Sequence, residues 1–177
     1  KKESENMQDL VDKLLFIARN DKDTLVLVKN RFSMSELVEE LVRETILLET
    51  GHKIESHVEP EIMLHGDRDR IKQALRIFVD NAIKYTEPGQ TITIWLNVED
   101  DYAVVTVRDT GIGIPEEHLP NIFDRFFRVD SSRERDKGGH GLGLSIARII
   151  VLRHGGRIKV ASKPGEGTRF KIYFPVE

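Results

Sequence analysis

The chain has 177 residues, 39% hydrophobic and 32% charged, an ordinary globular balance that suits one domain with a short appendage. A formal net charge of -3 offers no global basic field for nucleic acid, and the absence of cysteine excludes disulfides, thiolate chemistry and cysteine zinc sites. No apolar run approaches the ~18–20 residues that span a bilayer. The opening KKESENMQDL has no signal-peptide core and begins without Met in helical character, so a piece of a longer protein is expected.

Residues 4–19 set Met7, Leu10, Val11, Leu14, Leu15 and Ala18 at spacings of three and four, one apolar stripe on a helix. A lone helix of this length is marginal in water, so the stripe needs a partner, either the domain's own core or another chain. Residues 24–32 (TLVLVKNRF) read as a strand. Ser33 followed by Glu36 is a capping-box signal for a helix running to about Glu49 and stopped at Gly51. Short strands are predicted near 53–58 and 61–65. Asp67 starts a strong helix whose core face is Ile71, Ala74, Leu75, Phe78 and Ala82, ending near Thr86 before Pro88 and Gly89. Residues 90–98 and 102–109 alternate cleanly and form a hairpin. A loop-rich basic stretch from 110 to 140 precedes a helix from Leu142 to about His154, stopped by Gly155 and Gly156. Strands at 157–162 and 168–174 flank the turn KPGEG. This mixed order predicts an α+β two-layer sandwich, with helices on one face of a mixed, mostly antiparallel sheet.

Four local patterns carry chemistry. Asn81, Lys84 and Tyr85 share one helix face: an amide oxygen suited to magnesium, an ammonium within reach of phosphate, and a ring that can cover a base. A polar solvated face explains the same spacing. Asp109-Thr110-Gly111-Ile112-Gly113 ends a strand, where the carboxylate can accept from an exocyclic amine and the glycines let the backbone approach a flat ligand. The segment 138–144 (GGHGLGL) opens a helix whose free N–H groups can hold phosphate. Arg125, Arg128, Arg133, Arg135 and Lys137 before it suit a lid that closes over polyphosphate. Gly165-Glu166-Gly167-Thr168, taken alone, is a hairpin turn. Neither a dinucleotide fingerprint nor a Walker loop is present.

In this order the patterns resemble the ATP-binding catalytic domain of bacterial two-component sensor histidine kinases, of the superfamily shared with DNA gyrase, Hsp90 and MutL. DNAIKYT (80–86) is similar to the N box and DTGIGI (109–114) to the G1 box. IFDRFFRVD (122–130) is similar to the F box, GGHGLGLS (138–145) to the G2 box, and PGEGT (164–168) to the last glycine box. The resemblance covers roughly residues 24–177 and implies that superfamily's sandwich fold, with ATP and magnesium as cofactors. It implies that Asn81 holds magnesium, Lys84 approaches the phosphates, Tyr85 the adenine, and Asp109 accepts the adenine amino group. Gly111, Gly113 and Ile114 would lie beside the base and Thr168 would support it. Gly139, His140, Gly141, Leu142 and Gly143 would form the phosphate-binding helix start. Asn81, Lys84, Arg125 and Arg128 would serve catalysis, while Phe123, Phe126 and Phe127 either dock the lid or belong to plain core.

Residues 1–22 resemble the end of the second helix of the dimerisation and phosphotransfer domain, leaving 23–177 as the catalytic domain. The implied activity moves the ATP γ-phosphoryl to a histidine on that dimerisation domain, for relay to a response-regulator aspartate. The implied partners are the response regulator and, in the intact homodimer, the protein's own dimerisation domain. Nucleic acid is not expected, the location is cytoplasmic, and a membrane would be reached only through segments outside this chain. None of the six histidines (His52, His57, His65, His118, His140, His154) has the context of the family's phosphoacceptor, so the chain is expected to bind ATP without labelling itself efficiently. Their spacing gives no metal signature. Ile77, four residues before Asn81, stands where hydrolysing cousins carry a glutamate base, worth ~10²–10⁴ in rate. That argues against a gyrase-like or Hsp90-like ATPase. A non-catalytic nucleotide sensor and an anti-sigma-type serine kinase would carry similar boxes, but the leading helix ending LLFIARND favours the histidine kinase over the serine kinase.

Overall fold

The chain order of elements follows the sequence periodicities closely. In this computed structural model, which describes residues 2–48, 51–129 and 140–176, they are α1 (Lys2–Asp21), β1 (Asn30–Ser33), α2 (Met34–Leu48), β2 (Lys53–Val58), β3 (Met63–Gly66) and α3 (Arg68–Lys84). They continue with β4 (Thr91–Glu99), β5 (Tyr102–Asp109), a 3-10 helix (Glu116–Asn121), α4 (Gly143–Arg153), β6 (Arg157–Lys163) and β7 (Gly167–Pro175). Five strands form one sheet in the order β2-β4-β5-β7-β6, with β2 parallel to β4 and every other pairing antiparallel. β1 and β3 make a separate two-stranded ladder.

Alternation decides which sheet face is apolar. Ile92, Ile94 and Leu96 of β4, Ala103, Val105 and Val107 of β5, and Phe170, Ile172 and Phe174 of β7 are all buried toward the helices. The helices answer with their own stripes: Leu37 and Leu41 of α2, Leu75 and Phe78 of α3, Ile146 and Ile150 of α4. The Phe78 and Phe170 rings meet across this interface with centroids 5.0 Å apart. The layers are thus those expected: helices on one face of a mixed, mostly antiparallel sheet. Ser33 Oγ accepts from Glu36 N at 3.1 Å, as the capping box predicts.

Two segments differ from expectation. The strand expected over 24–32 exists only from Asn30, because its partner β3 has four residues and offers no edge further back. Val26 and Val28 are exposed, and this stretch is tied down by other groups: Arg153 donates to the Leu25 carbonyl at 2.6 Å, and Asp67 Oδ2 accepts from Val28 N at 3.0 Å. On α1, the domain buries Phe16 and Ile17, with the Arg70 guanidinium 4.8 Å over the Phe16 ring. Met7, Val11, Leu14 and Leu15 of the predicted stripe stay exposed. Among the described residues no helix is long and apolar enough to cross a membrane.

The N-terminus of α3 is held by a small knot. Asp67 is its N-cap, accepting from Arg70 N at 3.2 Å. The Asp67 N–H donates to His154 Nε2 at 3.0 Å, and His154 Nδ1 sits 2.7 Å from the Ile150 carbonyl oxygen. These partners require a neutral imidazole with the proton on Nδ1. Burial is the main cause holding the His154 pKa below its ordinary 6.5. The unfolded chain therefore takes up the proton first, so this histidine's contribution to stability is full above about pH 6.5 and is lost as pH falls. Thermal melts at about pH 7.5 and about pH 5 should show wild type losing more Tm on acidification than His154→Gln; equal losses would remove His154 from the acid response.

Candidate nucleotide site

The core periodicity of α3 aims its polar residues. With Phe78 and Ala82 committed to the sheet, Asn81, Lys84 and Tyr85 turn half-buried toward a cavity of about 400 Å³, and all three line it. The Lys84 ammonium lies 5.4 Å from the Tyr85 ring centroid. The end of α3 is joined to the β5 turn, because the Tyr85 carbonyl accepts from Ile112 N at 3.1 Å.

Asp109 forms the opposite wall and is buried. Its Oδ1 accepts from Gly111 N at 2.9 Å and from Thr168 N at 3.2 Å. Burial pushes its carboxyl above the ordinary carboxylate range, and these two backbone donors and the Thr86 hydroxyl pull it back. Gly111 lies behind this wall, so close to the Tyr85 carbonyl that a Cβ would collide with it. Gly113, which lines the cavity, has a φ of +73° and packs against the Lys163 carbonyl, where any side chain would collide. Ile114 also lines the cavity, its N–H bonded to Ser162 Oγ at 2.7 Å. Thr168 lines it too, but its hydroxyl is already paired with Ser162 Oγ at 2.8 Å. Its backbone N–H is what supports Asp109.

The third wall is the start of α4. The N-cap Leu142 makes no side-chain capping bond. His140, Gly141 and Gly143 line the cavity, whereas the Leu142 side chain is buried in the core. Gly141 fits tightly under the preceding segment, its carbonyl accepting from Phe126 N at 2.8 Å. Phe123 and Phe127 pack on the core and Phe126 is exposed, which divides the expected aromatic trio. Gly139, the lid residues Arg133, Arg135 and Lys137, and the expected helix end at Glu49 lie outside the described residues.

Two predicted catalytic arginines are not in the cavity wall. Arg125 makes a paired contact with Asp21 at the end of α1, at 2.9 and 2.6 Å. Arg128 is half-buried nearby in sequence.

Comparison with known proteins identifies the family. Residues 66–177 match the family described as histidine kinase-, DNA gyrase B-, and HSP90-like ATPase. The chain belongs to that family. It is 39% identical over 178 residues to the sensor histidine kinase YkoH of Bacillus subtilis, covering 97% of this chain and 37% of the relative. It is 38% identical over 168 residues to the histidine-protein kinase ArlS of Staphylococcus epidermidis, covering 94% and 37%. The chain thus spans little more than a third of these relatives. The solved mycobacterial sensor histidine kinase MprB superposes with a TM-score of 0.73 at 29% identity, covering 85% of this chain and 99% of that one. Full-length ShkA, solved in complex with AMPPNP, gives a TM-score of 0.83 at 26% identity, covering 99% and 37%. The chain is an ATPase-family catalytic domain of the sensor histidine kinase type.

Sequence reasoning missed several wall residues of this cavity. Lys13 reaches the cavity from α1, Phe170 and Ile122 floor it, and Asp80 stands exposed at its rim. Asp80 was within sight as the neighbour of Asn81; the others come from distant elements and carry no local signal. Ile77 also lines the cavity, so the wall is apolar at that point.

Asp109→Asn keeps an oxygen for the two backbone donors but removes the charge that burial disfavours. Melting temperature should stay level or rise slightly, while ATP affinity measured by calorimetry falls about 10–100-fold for a lost charge-assisted hydrogen bond. A parallel loss of both would make Asp109 structural.

Proposed function

We propose that the intact protein is a sensor histidine kinase, and that this chain supplies the ATP-binding domain that transfers the γ-phosphoryl group to a histidine on its dimerisation domain. The carrying observation is the convergence of Asn81, Asp109 and the start of α4 on one cavity. Asp109 accepts from the adenine amino group, beside Tyr85, Gly111, Gly113 and Ile114, with Thr168 behind it. Lys84 and the N–H groups around Gly139, His140, Gly141, Leu142 and Gly143 take the phosphates. The histidine ring nitrogen attacks the γ-phosphorus as the bond to the bridging oxygen of ADP breaks. Catalysis is then chiefly positioning and electrostatics.

Among the described residues no group of three or more His, Cys, Asp or Glu side chains gathers to hold a metal. Asn81 offers one neutral hard oxygen in the cavity wall, a donor that suits magnesium completed by phosphate oxygens and water. When bound, magnesium would screen the charge of the phosphate tail. Arg125 and Arg128 are assigned to the same end. Arg125 serves it only after leaving Asp21, so its engagement is linked to the position of α1.

Residues 1–22 are read as the end of the dimerisation helix and 23–177 as the catalytic domain. The exposed Met7, Val11, Leu14 and Leu15 suit a homodimer seam. A response-regulator aspartate is the onward acceptor, and the working location is the cytoplasmic side of a membrane-anchored sensor. Ile77, with no proton-accepting atom, favours transfer over hydrolysis of the gyrase or Hsp90 kind.

Asn81→Ala tests the reading. Calorimetry with ATP should lose the magnesium-dependent part of the affinity, about tenfold or more, and the intact variant should fail to label its histidine. Unchanged magnesium dependence would remove Asn81 from the site.

A further inference from the structure

Thr86 lies just past the last turn of α3, behind the cavity wall rather than in it, and is 4% exposed. Its carbonyl is satisfied by His52 Nε2 at 2.6 Å. Its hydroxyl is the one buried side-chain polar atom among the described residues that makes no hydrogen bond of good geometry. Burying a hydroxyl without a partner is costly, so such an atom calls for an explanation.

The surroundings supply one. Gly111 separates Thr86 from Asp109: a Cβ on that glycine would lie 2.8 Å from Thr86 Oγ1 and 3.0 Å from Asp109 Oδ1. The hydroxyl and the carboxylate therefore flank the same Cα, with nothing larger than a glycine between them. The backbone donors of Gly111 and Thr168 both go to Oδ1. Thr86 is near enough to favour the charged form of the carboxyl. A hydroxyl rotor turns freely to suit an acceptor, so a small reorientation completes the bond.

We propose that Thr86 is a positioning residue for base recognition: its hydroxyl donates to the Asp109 carboxylate and fixes the orientation of the group that accepts from the six-amino group of the purine. The proposal rests on the reading of Asp109 as the adenine acceptor. A carboxylate held by a third donor presents its free lone pairs in one direction, rewards an amino donor and rejects a purine without one. One held by the two backbone donors alone can swing and discriminates less.

The test is calorimetry on the whole chain with ATP and with purine riboside triphosphate, which lacks the six-amino group, for wild type, Thr86→Val and Thr86→Ser. Valine keeps the volume and removes the donor. Wild type should prefer ATP by at least about tenfold. Thr86→Val should lose about tenfold in ATP affinity with the analogue unaffected, and Thr86→Ser should restore the preference. If Thr86→Val discriminates as wild type does, the proposal is overturned. It is equally overturned if both nucleotides weaken together with a fall in Tm, since that marks packing. A wild type that binds both equally would instead sink the Asp109 reading and this proposal with it. If Thr86→Val does not fold, Thr86→Ser and Thr86→Ala decide by the same ratio.

Discussion

A carboxylate buried at the end of a strand has to be solvated by the chain that buries it. Asp109 gets that solvation from the N–H of Gly111, in its own turn, and the N–H of Thr168, on β7. The second donor exists only because β7 lies beside β5 with Arg108 opposite Arg169, so the register of the central sheet and the polarity of the cavity are one constraint. A charge held this way costs folding energy and is kept oriented, which suits an acceptor that must be in place before a ligand arrives.

The helix α3 carries this constraint across the molecule. At its N-terminus, Asp67 and His154 join it to α4; at its C-terminus, the Tyr85 and Thr86 carbonyls accept from Ile112 and His52. Its buried face packs against the sheet, so the rotation of the helix is set and with it the aim of Asn81, Lys84 and Tyr85. The family match begins at Gly66, one residue before the cap of this helix. The unit shared with the ATPases is the part in which α3, strands β4 to β7 and α4 lock one another.

The two ends of the cavity differ in construction. The end at Asp109 is walled by strand termini and tight backbone contacts. The rest of the wall is made by the start of α4, by side chains on α3, and by residues that other elements bring in, such as Lys13 from α1. Arg125 joins α1 as well, through Asp21. The first helix therefore meets the cavity directly through Lys13 and the segment after the 3-10 helix through Asp21.

Much was legible from the residues in order. Helix periods, alternating strands, the Ser33 capping box and the glycine-bearing segments are local patterns, each encoded within about one or two turns of chain, and so are the contacts among Asn81, Lys84 and Tyr85. The resemblance to the kinase family rested on those same short stretches. The tertiary structure decided what depends on pairs far apart in sequence. It shortened the strand expected from residue 24, because β3 offers only four residues to pair with. It buried Phe16 and Ile17 in place of the more regular stripe of α1, and it bound Arg125 to Asp21, 104 residues away. It also set Thr86 against Asp109 across a glycine. Local patterns are selected by backbone geometry that neighbouring residues share; the identity of a distant partner depends on how whole elements pack, and no short stretch of sequence contains it.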